Sequence, residues 1–409
     1  MSITHYPEYV RIKEGQGNVN FYGTALDAFG RIRVSEPFTL FDSSHRYEDN
    51  GLFDTATTGT ASAVHAVATS TVSLNVDTAS GDEVIRESKR VFAYQPGKGL
   101  LILNTFVMDE AKTGLRQRVG YFGAQNGIFF EQDGTTINLV KRSYITGSVV
   151  DTKVAKADWN GDKLDGNGES GITLDLTKAQ IFWVDIEWLG VGSVRCGFVI
   201  DGQYIVCHTF HHANSIDSVY MTTGTLPIRY EITNTASTAS ASVLKQICST
   251  VISEGGYEKK VAPLVARMTA STTVGTSFQP LVTIRLASDH LDAVVLLNKY
   301  SVTGLTADTF EYALIKNATL TGASYDTSTF DSVDFDTAAT ALTGGTILRS
   351  EYVVSTNQSS AQLDVNGFYN FGFQLGRTIG GTSDTLTLAA RVLSGTGNAI
   401  GTMEFHDLK

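Results

Sequence analysis

The chain has 409 residues, of which 42% are apolar and only 18% charged, and its 31 basic and 42 acidic side chains give a net charge of −11. Normal apolar content with diluted charge excludes a disordered, self-repelling chain, and 39 glycines without a three-residue period exclude a collagen-like one. A sequence pI near 5.2 and the lack of any long Lys/Arg run argue against nucleic acid as a partner. The three cysteines, Cys196, Cys207 and Cys248, are odd in number and cannot form a disulfide framework, which points to assembly in a reducing cytoplasm. Cys207 lies in an apolar run and is expected as a small buried residue. The opening Met1-Ser-Ile-Thr-His lacks the basic and apolar regions of a secretory leader. No uncharged apolar run reaches the ~18 residues of a membrane-spanning helix, so no membrane partner is expected.

In chain order, Gly15 to Gly23 is rich in Gly and Asn and reads as an extended arm. Ala28 to Asp42 reads as a short strand with a Pro-directed extension, and its apolar residues Phe29, Phe38, Leu40 and Phe41 are the expected anchors of an assembly arm. Thr71 to Val76 alternates polar and apolar positions, as a half-buried strand does. Leu100 to Val107 reads as a buried strand, and Tyr121 to Gln132 as strand, turn, strand. Asp133-Gly134 lies between Ile128–Glu131 and Thr136–Val140, and Asp201-Gly202 between Val194–Ile200 and Tyr204–Phe210. Both pairs predict hairpins with type I′ turns, which require positive φ at both central residues. Ile181 to Trp188 is a further strand that directs Asp185 and Glu187 outward.

Composition shifts near Asn234, where the small-residue run Thr235–Ser242 reads as a linker or an exposed strand. Strand character resumes over Val243–Glu258, and a boundary falls where charges cluster near Tyr257–Val261. Strands are then expected at Leu281–Leu286, Ala293–Leu297, Ala313–Asn317, Phe368–Leu375 and Thr385–Val392, with Asp289–Leu297 as an alternative short helix. Helical signals are weak throughout, and β-branched and aromatic residues dominate. The expectation is an all-β chain of two β-sandwich, jelly-roll-like domains behind an extended N-terminal arm: an arm and docking segment over 1–50, a central sandwich over 51–257 and a C-terminal sandwich over 258–409.

Four groups of residues could carry chemistry. The loop from Asp158 to Glu169 places Asp158, Asn160, Asp162 and Glu169 at relative positions 1, 3, 5 and 12 of a calcium loop, although Lys163 stands where such loops need glycine. A solvated loop stabilised by Asx-turns is the competing reading. On an extended strand His208 and His212 share one face and His211 the other, too far apart to converge on one zinc unless the chain turns between them. Asp185 and Glu187 share a strand face at a separation compatible with a glycosidase pair, but the resemblance is superficial and the outward polar face of an antiparallel strand is the preferred reading. No nucleophile elbow, phosphate loop or dinucleotide fingerprint is present, so no enzyme is expected. Trp159 is the candidate aromatic for stacking on a sugar, whereas Trp183 and Trp188 read as core or loop anchors.

Several stretches resemble the virion structural proteins of tailed bacteriophages. They are Ala28-Phe-Gly-Arg-Ile-Arg-Val-Ser-Glu-Pro, Arg90-Val-Phe-Ala-Tyr-Gln-Pro-Gly-Lys-Gly, Arg118-Val-Gly-Tyr-Phe-Gly-Ala-Gln-Asn-Gly, Ile186-Glu-Trp-Leu-Gly-Val-Gly, Gly197-Phe-Val-Ile-Asp-Gly, His212-Ala-Asn214 and Leu375-Gly-Arg-Thr-Ile-Gly-Gly-Thr-Ser-Asp384. The central strand–Asp-Gly–strand pattern is also similar to concanavalin and laminin-G sandwiches. The first resemblance implies a non-enzymatic homo-oligomer in a capsid decoration, neck, tail or fibre, assembled in the host cytoplasm against other virion proteins. The alternative it leaves open is a virion adhesin for a host surface glycan. No cofactor is implied beyond the calcium of the acidic loop.

Overall fold

The computed structural model describes residues 36–356, 360–364 and 371–408. The chain divides into Met1–Glu36 and Pro37–Lys409, and all described strands lie in the second unit. Among the described residues the only helical pieces are two single 3-10 turns, Lys156–Asp158 and Phe371–Phe373. No helix there is long and apolar enough to cross a membrane. The protein is all-β, as its composition predicts.

Two sheets build the first sandwich. One runs in the order Gln203–Phe210, Val194–Ile200, Gln180–Ile186, Gly99–Val107, Ser242–Glu254, Thr71–Val76, Ser62–Ala66, and Pro37–Ser43 also pairs with Ser242–Glu254. The other runs Val150–Ala155, Thr136–Ser143, Gly127–Asp133, Leu115–Phe122, Ile228–Asn234, Glu83–Ser88, Phe53–Thr58. Their facing side chains form one core, in which the rings of Phe130, Phe182 and Phe198 meet at 5.2–5.7 Å. Such aromatic contacts add ~0.5–1.5 kcal/mol each beyond burial.

Most of the remaining strands build a second pair of sheets, and Thr319–Thr321 pairs with Ala341–Thr343 in a separate two-stranded sheet. One sheet of the pair runs Leu264–Arg267, Gly397–Leu408, Val294–Gly304, Ser360–Asp364, with Thr272–Val274 also on Gly397–Leu408. The other runs Val333–Asp336, Gln279–Leu286, Thr385–Val392, Asp308–Lys316, Thr346–Ser355. Their separate core includes Ile284, Phe310, Leu388 and Phe405. The two sandwiches touch: Val294 and Leu296 join the first core, Arg377 pairs with Glu87 at 2.9 Å, and the Ile379 amide donates to Asp54 at 2.7 Å.

Most strands follow the alternation, and the differences have local causes. Asp201 and Gly202 both have positive φ (52° and 76°) between the paired Ile200 and Gln203, so a type I′ turn forms. At the other Asp-Gly pair, Asp133 is still a strand residue opposite Thr136, and only Gly134 has positive φ (58°). The turn is therefore Gly134-Thr135, one residue later than the dipeptide suggests. Asp289–Leu297 is not a helix, because Val294 onward pairs as strand. The described part of Phe368–Leu375 is a 3-10 turn and an isolated bridge from Gln374 to Leu296 rather than a strand. Thr235–Ser242 is a turn ending in the first residue of the strand Ser242–Glu254.

The outer face of the seven-stranded sheet carries a charge grid that the sequence hides. Pairing places Asn138, Glu131, Arg118 and Glu231 in one row across four strands. Glu231 accepts from Arg116 at 3.1 Å, Arg118 at 3.2 Å and Arg229 at 3.0 Å, with its side chain only 3% exposed. Burial alone would raise the Glu231 carboxyl, but Arg229, Arg118 and Arg116 together hold it below the usual range. Arg118 and Arg142 also lie over the Phe129 ring, each at 5.2 Å.

Two stability predictions follow from these buried groups. Removing Glu231 leaves three arginines facing one another without their shared carboxylate. Glu231→Ala is therefore expected to cost roughly 3–5 kcal/mol in urea denaturation, while Lys260→Ala, which breaks an exposed pair with Glu258, should leave the midpoint unchanged. His45 is fully buried, and its imidazole is lowered to about 4 by burial first and by Arg86 second, with Asp49 opposing. Its folded value lies below the unfolded 6.5, so neutral His45 contributes stability above pH 6.5 that is lost as pH falls through 4. Denaturation midpoints should fall across that window, and less steeply in His45→Gln; equal slopes would remove His45 as a cause.

Candidate functional site

The acidic loop folds inward on two apolar anchors. Trp159 is only 2% exposed and donates its Nε1–H to the Val154 carbonyl at 3.2 Å, and Leu164 is fully buried with φ +50°. Trp159 thus has no ring face available to a sugar, contrary to the sequence expectation. The aromatic residue at the start of this loop is used to hold it against the sandwich.

Between those anchors the loop runs along the edge strand Gln203–Phe210. Gly161 N–H donates to Cys207 O and Asp162 N–H to Val206 O, both at 2.9 Å. The Asn160 side chain completes the pairing, donating to Thr209 O at 2.9 Å and accepting from Thr209 N–H at 2.8 Å. A Cβ at Gly161 would stand 2.3 Å from Val206 O, so only glycine permits this approach.

This geometry gives two of the four calcium-spaced residues, Asn160 and Asp162, partners within the chain. Asp162 accepts from the backbone N–H of Leu164 at 2.8 Å and of Ser170 at 2.7 Å. Burial works against its ionisation, but these bonds hold its carboxyl below the usual range. Asn160 is spent on the edge strand, while Asp158 and Glu169 are exposed. Among the described residues no group of three or more His, Cys, Asp or Glu is placed to hold a metal ion.

The loop and the hairpin enclose an open cleft of about 720 Å³, lined by Asn160, Asp162, Glu169, Gln203 and Tyr204 among others. Tyr204 is 54% exposed and stands edge-on to the buried Trp183, ring centroids 5.6 Å apart. It is the accessible aromatic of this region. Only its place after the Asp201-Gly202 turn could have marked it in the sequence.

The other candidates separate. The Asn160 amide donates to His208 Nδ1, His211 Nδ1 lies 3.2 Å from Ser193 Oγ, and His212 Nδ1 contacts Gly192 O. The three imidazoles therefore have different partners. Asp185 is ion-paired with Arg195. A Cβ on Gly99 would meet Asp185, Glu254 and Glu187, so these carboxylates share one outer face. Burial, then Asp185, raises the Glu254 carboxyl, against Arg195.

Of the assembly-arm residues, Phe29 lies outside the described residues. Leu40 and Phe41 are 5% and 4% exposed within the chain's own first core. A bulge between Thr39 and Phe41 in the pairing with Ser242–Glu254 lets both point inward. Phe38 packs on the Tyr257 ring at 6.1 Å. These three side chains serve the fold of their own chain, which corrects their reading as contacts to a neighbour.

No family model and no curated protein matches the chain. Similar solved structures include a protein of unknown function from Shewanella oneidensis MR-1 (9% identity, 60% of this chain and all of that one, TM-score 0.36). They also include a Bacteroides ovatus GH16 protein of a mixed linkage glucan locus in complex with a product (12% identity, 52% and 99% coverage, TM-score 0.35). A third is arcelin-5, a lectin-like defence protein from Phaseolus vulgaris (6% identity, 54% and 99% coverage, TM-score 0.32).

The role of Asp162 is directly testable. Asp162→Ala removes an ionised acceptor for two amides, each such bond being worth ~1.5–3 kcal/mol. Hydrogen exchange at Leu164 and Ser170 should accelerate while the sheet core keeps its protection; unchanged exchange at both amides would contradict the assignment.

Proposed function

We propose that this protein is a non-enzymatic, multi-copy structural component of a tailed-phage particle, assembling through its sheet edges. The observation that carries the reading is the strand Thr346–Ser355. It ends its sheet, pairing on one side with Asp308–Lys316, and no other strand of the described residues pairs with its outer side. It is ten residues long, and Ile347 (52%), Leu348 (36%) and Tyr352 (62%) are exposed along it. A long edge strand with exposed apolar side chains is a template for adding another chain, and monomers usually blunt it with charge, proline or cover. Here Arg349 and Glu351 pair with each other at 3.3 Å instead of presenting one repelling sign. The resemblance to virion proteins supplies the particle, and the edge supplies a means of assembly.

A second reading rests on Tyr204. An exposed ring beside Gln203, Asn160 and Glu169 combines a stacking face with hydrogen-bonding groups, the chemistry that sugar recognition uses. In this reading the particle component is also an adhesin for a host glycan, with Tyr204 in place of Trp159.

Sedimentation velocity tests the first reading. The wild-type chain is expected to form a discrete oligomer at micromolar concentration, and Ile347→Lys with Leu348→Lys to shift it to smaller species with an unchanged melting temperature. A wild type that stays monomeric, or variants that assemble normally, would count against edge-mediated assembly. Antibody labelling of intact particles tests the virion location separately.

A further inference from the structure

The open end of the first sandwich holds a lysine where the strand pattern calls for an apolar residue. Ile137 and Leu139 face the core along Thr136–Ser143, and Lys141 follows on the same side, opposite the fully buried Ile128. Its ammonium lies 5.9 Å from the Phe210 ring centroid and 5.8 Å from that of Tyr220. Among the described residues no carboxylate pairs with it, and burial is what lowers its amine from the usual lysine range.

A neighbouring imidazole supplies a single acceptor. His212 Nδ1 lies 2.7 Å from the Gly192 carbonyl, which can only accept, so the ring proton is on Nδ1. Nε2 is then a lone-pair acceptor, 3.0 Å from Lys141 Nζ. The imidazole is fixed by stacking on Tyr220, with centroids 3.8 Å apart and planes within 4°. Burial lowers the His212 imidazole from its usual range, the bond to Gly192 opposes this, and Lys141 beside it adds to the lowering. A protonated lysine has three donors, and His212 takes one.

Lys141 lines an open pocket of about 760 Å³ whose walls are of two kinds. Ile145 (46%), Val150 (48%), Ile216 (39%) and Val219 (36%) are exposed large apolar side chains gathered around it. Ser143, Thr146, Thr152, Ser215 and Ser218 add hydroxyl groups, and the one acidic lining residue, Asp217, is solvent-exposed. A half-buried cation is costly unless a counter-charge or further acceptors meet it.

We propose that this pocket binds a small carboxylate with an apolar body, the carboxylate on Lys141 and the hydroxyls, the body between Ile145, Val150, Ile216 and Val219. Neither the sheet-edge assembly nor the Tyr204 cleft is involved, so the proposal stands or falls independently of both. The alternation of Thr136–Ser143 marks Lys141 as an inward residue, but only the fold brings it to His212, 71 residues away.

Titration calorimetry on the full chain with octanoate, octan-1-ol and octylamine tests it. Octanoate should bind, and octan-1-ol and octylamine should bind at least about tenfold more weakly, as expected from loss of a charge-assisted bond. Lys141→Gln should weaken octanoate by about tenfold or more, and Lys141→Arg should retain most of the affinity. Ile216→Glu leaves the interior intact and should also weaken octanoate, keeping the test valid if Lys141→Gln fails to fold. Absence of octanoate binding at millimolar concentration, equal binding of octan-1-ol, or unchanged affinity in Ile216→Glu would overturn the proposal.

Discussion

Backbone hydrogen bonding is the constraint on which this structure turns. A β-sheet can bury its faces by stacking, but each end strand leaves a row of N–H and C=O groups that must find partners. The chain meets the requirement differently at different edges. At Gln203–Phe210 the loop through Asn160, Gly161 and Asp162 lies along the strand and bonds to it. At Thr346–Ser355 the edge is long and partly apolar. The first edge gives Asn160 of the acidic loop its partner, and the second gives the chain its proposed means of association.

Charge placement has a similar logic. Few residues are charged, yet several lie in tight contact on one sheet face, where Glu231 is shared by three arginines. The low charge density is therefore not a simple dilution. Part of the charge is internalised in a paired grid, and the rest stays on the surface, as with Asp158, Glu169 and the Lys260–Glu258 pair. Lys141 differs from the grid because its contact is the His212 imidazole rather than a carboxylate, and it faces a pocket.

Local rules made the strands legible. Thr71–Val76 and Thr385–Val392 have the bounds that alternation and turn residues suggest, and Asp201-Gly202 turns as its φ preferences require. The site was less legible because contacts between distant segments decide it. The spacing Asp158, Asn160, Asp162, Glu169 is common to a cation loop and to a loop satisfying an edge strand, and the strand it bonds is some 45 residues onward. Trp159 is buried and Tyr204 exposed for the same reason: burial depends on which segment folds over which. Leu40 and Phe41 have the apolarity of an arm anchor, but a single bulge directs both into their own core.

The central claim is that the strand Thr346–Ser355 is completed by another copy in the assembled state. Hydrogen exchange of its amides, compared in concentrated and highly diluted protein, tests this most directly. The account predicts protection of this strand that appears only on assembly, while the inner strand Thr385–Val392 is protected in both states. Equal exchange of Thr346–Ser355 at both concentrations, in a sample shown to assemble, would contradict it.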